Sequence, residues 1–211
     1  MINEVTQLLQ ENIPLARYSN FRIGGPARWF AEPTTQEEVL ALIRYAVEEQ
    51  HWPIAILGNG ANTLVSDKGF DGLVLHIRNE DIHIESETIT AGAGVTIRTF
   101  LSTAARAGLG DPTLFSLLAG VPGSIGGSVY GNAGGRTQAL GDIVETVFAF
   151  DRTGKSYEYS RAQCEFFYRT SRFKRTKEII VQVRFRLPKH DPKILLETIK
   201  NSALNKNTIQ P

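Results

Sequence analysis

The sequence predicts an α+β fold built from two successive units that meet near residue 80. Short apolar runs typical of strands alternate with segments of helical periodicity, and two glycine-rich loops each follow an apolar segment. At 211 residues the chain can form one large domain or two small ones, each with its own core. The apolar fraction of 42% and the charged fraction of 21% are ordinary for a soluble globular protein.

The first unit, residues 1–80, mixes helices and strands. Thr35 followed by Glu38 forms a capping box, which predicts a helix from there to about Gln50. Residues 53–57 are a continuous apolar run, which predicts a strand buried on both faces. The other elements predicted in this unit are a helix at 3–11, a loop at 18–26 and strands at 28–31 and 73–77.

The second unit, residues 81–187, is richer in strands, and the segment 188–211 follows it. Residues 119–135 are dense in glycine and are predicted to form a loop. Asp191 followed by Pro192 is an N-cap signal, which predicts a helix over 192–204 and leaves a polar tail at 205–211. The other predicted elements are a helix at 97–107 and strands at 82–84, 88–91, 143–151, 157–159 and 179–187.

Charge and cysteine content narrow the class of protein. The net charge of +1 provides no long-range field that would favour nucleic acid or an anionic membrane. Cys164 is the only cysteine, so no internal disulfide can form, and we expect it to be a half-buried, small apolar residue rather than a reactive thiol. No signal peptide or membrane span is predicted, so the expected location is the cytoplasm. The four histidines lack metal-ligand spacing, and we expect no metal.

The first candidate binding loop is Gly58–Thr63, which follows the predicted strand at 53–57. Glycine lets the backbone adopt positive φ and leaves its N–H groups uncovered by side chains, so several of them can converge on a phosphate oxygen. The spacing matches neither a Rossmann fingerprint nor a Walker loop. The alternative is a tight turn with a purely structural role.

The second candidate loop is Gly120–Gly135. So many glycines are costly in backbone entropy, and a fold tolerates them where a ligand or another backbone approaches closely. Two such loops together favour a long ligand with a central pyrophosphate, such as a dinucleotide. We therefore expect a side chain at Gly126 to occupy ligand space. The alternative is a set of ordinary turns in a strand-rich domain.

The third candidate is the basic and aromatic segment Phe167–Arg175. Interleaved rings and cations can hold an anionic, ring-bearing substrate, whereas the alternative is a solvated surface loop. We expect Arg169 to face a cleft, with Phe167, Tyr168 and Phe173 anchoring the segment.

Taken in order, these motifs resemble the UDP-N-acetylenolpyruvoylglucosamine reductase family over residues 13–187. The resemblance implies an FAD-binding fold of two α+β subdomains, of the type shared with vanillyl-alcohol-oxidase-like flavoproteins. It also implies NADPH-linked reduction of UDP-N-acetylglucosamine enolpyruvate, a nucleotide sugar, in peptidoglycan precursor synthesis. The matching segments are Phe21–Ala27, Gly58–Asn62 with Ser66-Asp67 and Gly69-Phe70, Gly120–Gly134 and Tyr168–Ser171.

The resemblance also assigns roles to individual residues. Tyr168 and Arg169 match the family's substrate-binding pair, in which the arginine is catalytic and polarises the enolpyruvyl carboxylate; its planar fork suits a carboxylate. The FAD-binding positions that match are Asn59, Gly60, Ala61, Asn62, Gly120, Pro122, Gly123, Gly126, Gly127, Asn132, Ala133 and Gly134.

The chain departs from the family pattern in two places. Leu114-Phe115-Ser116 stands where the family reads Gly-Leu-Glu, and the sequence ends at Pro211, where family members continue into a third domain that supplies a proton-donating serine and a glutamate. Ser202, the one serine after residue 187, is expected to be a solvated helix residue. A second hypothesis is therefore an FAD- or nucleotide-binding relative without reductase activity, or one completed by a partner chain; a domain that has lost FAD is a third.

Overall fold

The computed structural model describes the backbone of residues 2–209 and the side chains of residues 5–205. Its first sheet has the order β1-β2-β4-β3, in which β1 is antiparallel to β2 and the other pairs are parallel. The helix Gln36–Arg44 lies in the connection from β2 to β3, and β4 lies between these two strands in the sheet. The strands are β1 (Gln10–Pro14), β2 (Pro26–Ala31), β3 (Ile54–Leu57) and β4 (Phe70–His76).

The second sheet is entirely antiparallel and has the order β5-β6-β9-β7-β8. The change from one sheet to the other falls between β4 and β5, close to the boundary expected at residue 80. The division into the subdomains 1–80, 81–187 and the segment 188–211 stays a prediction. The strands are β5 (Ile82–Glu85), β6 (Thr88–Gly92), β7 (Val144–Phe150), β8 (Ser156–Ser160) and β9 (Ile179–Arg186).

Helices cover the sheets and connect their strands. The capping box is confirmed, because the Thr35 hydroxyl accepts from the Glu38 N–H and the Glu38 carboxylate accepts from the Thr35 N–H. The predicted helix continues as a π-helical turn, Tyr45–Glu49. The helices are α1 (Ile2–Gln7), α2 (Gln36–Arg44), α3 (Ile97–Arg106), α4 (Pro112–Leu118), α5 (Ile125–Tyr130), α6 (Arg172–Thr176) and α7 (Pro192–Ile209).

Three expectations about helices were wrong in extent. The helix predicted at 3–11 ends at Gln7, since β1 pairs with β2 from Gln10 onward. The loop predicted at 119–135 contains α5, which the Ser124 hydroxyl caps by accepting from the Gly127 N–H. The polar tail expected from residue 205 is helical to Ile209, as far as the backbone is described.

One buried cluster joins the two sheets. It contains Leu73 and Leu75 from one face of β4, side chains of α2, and residues of β6, α3 and β9. Val74 points the opposite way and joins a smaller cluster with Phe30 and Leu57. The alternation along β4 therefore gives the first sheet two buried faces, and the larger cluster holds the sheets together.

The strand β3 corrects an expectation about burial. It was predicted to be buried on both faces, but it lies at the edge of the first sheet, and Ile56 is 38% exposed. Ile56 faces a cavity between the two sheets, so its apolar side chain is open to whatever occupies that cavity.

Cys164 is the unreactive residue that the sequence indicated, although it is fully buried rather than half-buried. Burial raises the pKa of its thiol to about 12, so it is an inert core residue. Among the described residues no helix combines the length and apolar character needed to cross a membrane, and no cluster of metal-ligating side chains is found. Ser202 is not simply solvated, because its hydroxyl lies 2.9 Å from that of Ser116 and ties α7 to α4.

His76 predicts a pH dependence of folding. Its ring packs beside Tyr18 and Phe30 and its Nδ1 lies 3.0 Å from Glu32, but burial outweighs that contact and lowers the His76 pKa. A histidine whose folded pKa lies below the unfolded value of about 6.5 stabilises the fold at higher pH. The free energy of unfolding should therefore fall as pH drops below about 6.5.

Urea unfolding at pH 7.5 and 5.5 measures this effect in the wild type and in His76→Gln. The variant should be less stable at both pH values yet lose less stability between them. An equal loss in both proteins would contradict the assignment.

Candidate functional site

A cavity of about 500 Å³ lies between the edge strand β3 and the second sheet. Its volume falls in the range of small-molecule sites. The wall on one side is β3 with the loop after it, and the opposite wall is α5 with the start of β9. Ile77, Ile179 and Ile180 line it as buried apolar side chains.

The loop after β3 presents bare backbone donors to this cavity. Within the described part of the chain, the N–H groups of residues 59–63 have no hydrogen-bond acceptor. An unpaired backbone donor in a concave site is costly, so an anionic ligand oxygen is the natural partner.

The 18–20 segment holds that loop in shape. Gly60 has φ +62°, and a Cβ there would lie 1.7 Å from the Tyr18 carbonyl oxygen, so only glycine fits. The Asn20 N–H donates to the Gly60 carbonyl oxygen at 3.1 Å, and the Ser19 hydroxyl donates to the Thr63 carbonyl oxygen at 2.9 Å. The loop predicted at 18–26 therefore supports the binding loop through these contacts.

The two glycine loops meet at one point. A Cβ on Gly58 would lie 2.6 Å from the Ser124 hydroxyl oxygen, so the loops are in direct contact there. Ser124 is buried and marks the beginning of α5. A single ligand that touches both loops would therefore span a continuous surface.

The donors of α5 differ from those of the first loop. The N–H groups of Ile125 and Gly126 donate to the carbonyl oxygens of Val95 and Ala93. Those of Gly127 and Ser128 are satisfied by Ser124. The helix α5 therefore shapes the cavity and lets a ligand come close to its backbone, while the first loop provides the free N–H donors.

The role expected for Gly126 was wrong in its geometry. A Cβ on Gly126 would lie 2.9 Å from the Ala93 Cβ, so this glycine permits α5 to pack closely against the residue that follows β6. Gly127 and Gly131 are the open positions. A Cβ at either would meet a single atom 3.5 Å away, and both residues line the cavity.

Arg169 lies at the tip of a tight turn. Phe167 and Thr170 exchange backbone hydrogen bonds, and Arg169 has φ +56°, the left-handed conformation that favours glycine at this turn position. Such strain is often kept where function requires the side chain. The Lys174 ammonium donates to the Arg169 carbonyl oxygen at 2.8 Å, and Arg169 lines the cavity as expected.

The turn is not anchored by all three of the aromatic residues expected. Phe173 is buried, but Phe167 is 75% and Tyr168 57% exposed. Asn132 provides the missing anchor, because its side-chain amide donates to the Phe167 carbonyl oxygen and accepts from the Gly141 N–H, both at 2.9 Å. The second glycine loop therefore positions the arginine turn.

The structure brings most of the predicted residues together. Asn132 holds the turn that carries Arg169 but does not itself line the cavity. The predicted positions outside the cavity lining are Gly120, Pro122, Asn132, Gly134 and Tyr168. The predicted residues that line the cavity are Asn59, Gly60, Ala61, Asn62, Gly123, Gly126, Gly127, Ala133 and Arg169.

Comparison with known proteins identifies the family. Residues 27–160 match the family model described as an FAD binding domain. A UDP-N-acetylenolpyruvoylglucosamine reductase from Parasynechococcus marenigrum is 34% identical over 208 residues, covering 96% of this chain and 68% of the relative. One from Chlamydia felis is 35% identical over 206 residues, covering 96% and 68%. The chain belongs to the UDP-N-acetylenolpyruvoylglucosamine reductase family.

Solved structures agree with the fold class. The reductase from Thermus caldophilus superposes with a TM-score of 0.79 and 28% identity, covering 96% of this chain and 71% of that chain. Cholesterol oxidase from B. sterolicum, at 18% identity, has a TM-score of 0.65 and shares the fold alone. The α+β flavoprotein fold and FAD as the cofactor are thereby confirmed.

The residues of this family member fit FAD. The free N–H groups of residues 59–63 can donate to the oxygens of a pyrophosphate. The open surface at Gly127 and Gly131 leaves room for a bulky ligand, and the three isoleucines provide an apolar surface. A Cβ at Gly58 would collide with the Ser124 hydroxyl, and one at Gly60 would collide with the Tyr18 carbonyl oxygen, so either would distort the binding loop.

Sequence reasoning missed several charged residues of the cavity: Arg152, Lys174, Lys177 and Glu178. Lys174 lay within the basic segment and was not singled out. Arg152 lies outside every motif and reaches the cavity because it follows β7. Lys177 lies just beyond the basic segment and is placed by the end of α6. No local pattern marks either residue.

Glu178 belongs to a buried network behind the arginine turn. Its carboxylate accepts from the Tyr159 and Thr176 hydroxyls and lies 3.3 Å from the Arg172 guanidinium, which packs 4.0 Å from the Tyr159 ring centre. Burial, reinforced by the bond to Glu178, raises the pKa of Tyr159 to about 12. The network fixes α6, and α6 carries Lys174 beneath Arg169.

Gly127 and Gly126 form a matched pair for testing the cavity. Gly127→Leu should lower FAD affinity by more than about tenfold, a loss near 1.4 kcal/mol, because the new side chain enters the cavity. Its apoprotein should unfold at an unchanged or higher temperature, since glycine is a poor helix former. Gly126→Val should instead lower the unfolding temperature through overpacking against Ala93.

Flavin fluorescence titration and thermal unfolding of the apoproteins measure the two effects. Wild-type FAD affinity in Gly127→Leu would refute the placement of the ligand.

Proposed function

We propose that the chain binds FAD in the cavity between the two sheets and carries out NADPH-linked reduction of UDP-N-acetylglucosamine enolpyruvate in peptidoglycan precursor synthesis. The observation that carries the proposal is the strained Arg169, which faces the same cavity as the bare N–H groups of residues 59–63. Family membership supplies the nucleotide-sugar substrate class.

In this proposal the first loop holds the cofactor. The N–H groups of residues 59–63 would donate to its pyrophosphate, and α5 would lie along the ligand with Gly127 and Gly131 in contact. When bound, FAD supplies the hydride relay between a nicotinamide donor and the substrate. The proposed subdomains 1–80 and 81–187 would contribute one wall each.

Arg169 would bind the substrate's carboxylate. A guanidinium offers two parallel N–H donors that match a carboxylate, and charge developing next to that group during reduction would be stabilised by a fixed cation. The left-handed backbone and the Lys174 contact restrict where the side chain can go. Restricting it before the substrate arrives reduces the entropy lost on binding.

A second candidate is an FAD-binding relative that does not reduce this substrate on its own. The observation that favours it is the departure from the family pattern at Leu114-Phe115-Ser116. The alignments cover 68% of the two curated relatives and 71% of the solved reductase. Under this proposal the chain accepts electrons from NADPH but does not pass them to this substrate.

One anaerobic stopped-flow experiment separates the two candidates. NADPH should bleach the flavin in both, and rapid recovery of absorbance on adding the enolpyruvyl substrate would support the reductase. Slow or absent recovery would support the second candidate.

Arg169→Lys is the informative variant in the same experiment. Lysine keeps the positive charge but lacks the two parallel N–H donors of the guanidinium. Reduction of the flavin by NADPH should be unchanged, while substrate affinity falls about tenfold, as expected for a lost charged hydrogen bond. Arg169→Gly removes the side chain and relieves the turn, so it should fold at least as well. Unchanged substrate affinity in both variants would place Arg169 outside the site.

A further inference from the structure

Arg152 is an unneutralised cation in the cavity wall. It follows β7, and its guanidinium donates to the Ile54 carbonyl oxygen at 2.7 Å and to the Lys177 carbonyl oxygen at 2.9 Å. The neighbouring Asp151 forms no ion pair with it, and that carboxylate accepts instead from Thr153, Lys155 and Tyr157. Within the described residues Arg152 forms no ion pair, and burial lowers its pKa.

Lys177 adds a second cation to the same wall. Its ammonium lies 3.4 Å from the Tyr130 hydroxyl, and both side chains line the cavity with Arg152. Lys177 has φ +61° at the end of α6, which turns it toward the cavity. The one acidic residue found in the described lining is Glu178, which already pairs with Arg172 and two hydroxyls.

This cluster lies apart from the bare N–H groups. Arg152 is held at Ile54, the first residue of β3, and the glycine loop begins at Gly58. At a rise of about 3.3 Å per residue, four residues of strand separate the two points by roughly 13 Å. The cavity therefore has two attractive positions for anions rather than one.

We propose that Arg152, Lys177 and Tyr130 form a phosphate-binding subsite of the cavity, distinct from the N–H groups of residues 59–63. Two cations and a phenol with no acidic partner are the donors that phosphate oxygens require. The inference rests on the proposed function only in requiring that a nucleotide enters this cavity. FAD has a single pyrophosphate, which residues 59–63 bind in the proposed function, so the phosphate at this subsite belongs to the reducing dinucleotide.

The test compares ligands with and without phosphate. ADP and adenosine are titrated into the apoprotein by calorimetry, and FAD and riboflavin by fluorescence, for the wild type, Lys177→Gln and Arg152→Lys. Lys193→Gln, a change at an exposed position on α7, is the control. Thermal unfolding of each variant checks that the fold is intact, since Arg152 also joins the two sheets.

We expect Lys177→Gln to weaken ADP binding and to raise the KM for NADPH about tenfold, with a smaller salt dependence, and to leave adenosine, riboflavin and FAD binding unchanged. A rise in KM for NADPH but not for NADH would assign the subsite to the 2′-phosphate of the dinucleotide and would also support it. If Lys177→Gln binds ADP more weakly than the wild type does, and the wild type does not bind FAD, the result would support the subsite and refute the proposed function.

Two outcomes would overturn the inference. One is equal affinity for every phosphate-bearing ligand in the wild type and Lys177→Gln. The other is an equal loss for ligands with and without phosphate, which would indicate a structural effect instead.

Discussion

The arrangement on which this site depends is a short loop whose backbone donors are left without partners. Residues 59–63 follow β3 and line the cavity, and their N–H groups have no acceptor among the described residues. Gly60 makes this turn possible by lying against the Tyr18 carbonyl oxygen. The donors at the start of α5 differ, because the N–H groups of residues 125–128 are hydrogen-bonded within the protein. The fold therefore leaves the donors of residues 59–63 for an anionic ligand to satisfy.

The second glycine loop contributes through packing more than through donors. Gly126 lets α5 approach Ala93, Ser124 contacts the first loop at Gly58, and Asn132 fixes the turn that carries Arg169. A single segment thus sets both the width of the cavity and the position of the proposed substrate-binding arginine. This explains why the segment tolerates a high entropic cost of glycine.

Local signals in the sequence were sufficient for most elements and for the binding loops. The capping box at Thr35 and the N-cap at Asp191 predicted their helices correctly. Asp111 followed by Pro112 is an equivalent N-cap signal, and it begins α4, a helix that was not among the predicted elements. The helix α5 was hidden because its glycines oppose helix formation, and tertiary contacts override that preference. Arg152 and Lys177 reach the cavity through contacts between segments distant in sequence, which no local pattern encodes.

In the proposed complex the N–H groups of residues 59–63 bind the pyrophosphate of FAD. A ¹H–¹⁵N NMR titration of the apoprotein with FAD measures this contact, with the amides of residues 125–128 as an internal comparison. We expect large downfield proton shifts for residues 59–63 and small changes at 125–128, whose N–H groups are already hydrogen-bonded. Saturation with FAD that leaves the amides of residues 59–63 unshifted would contradict it.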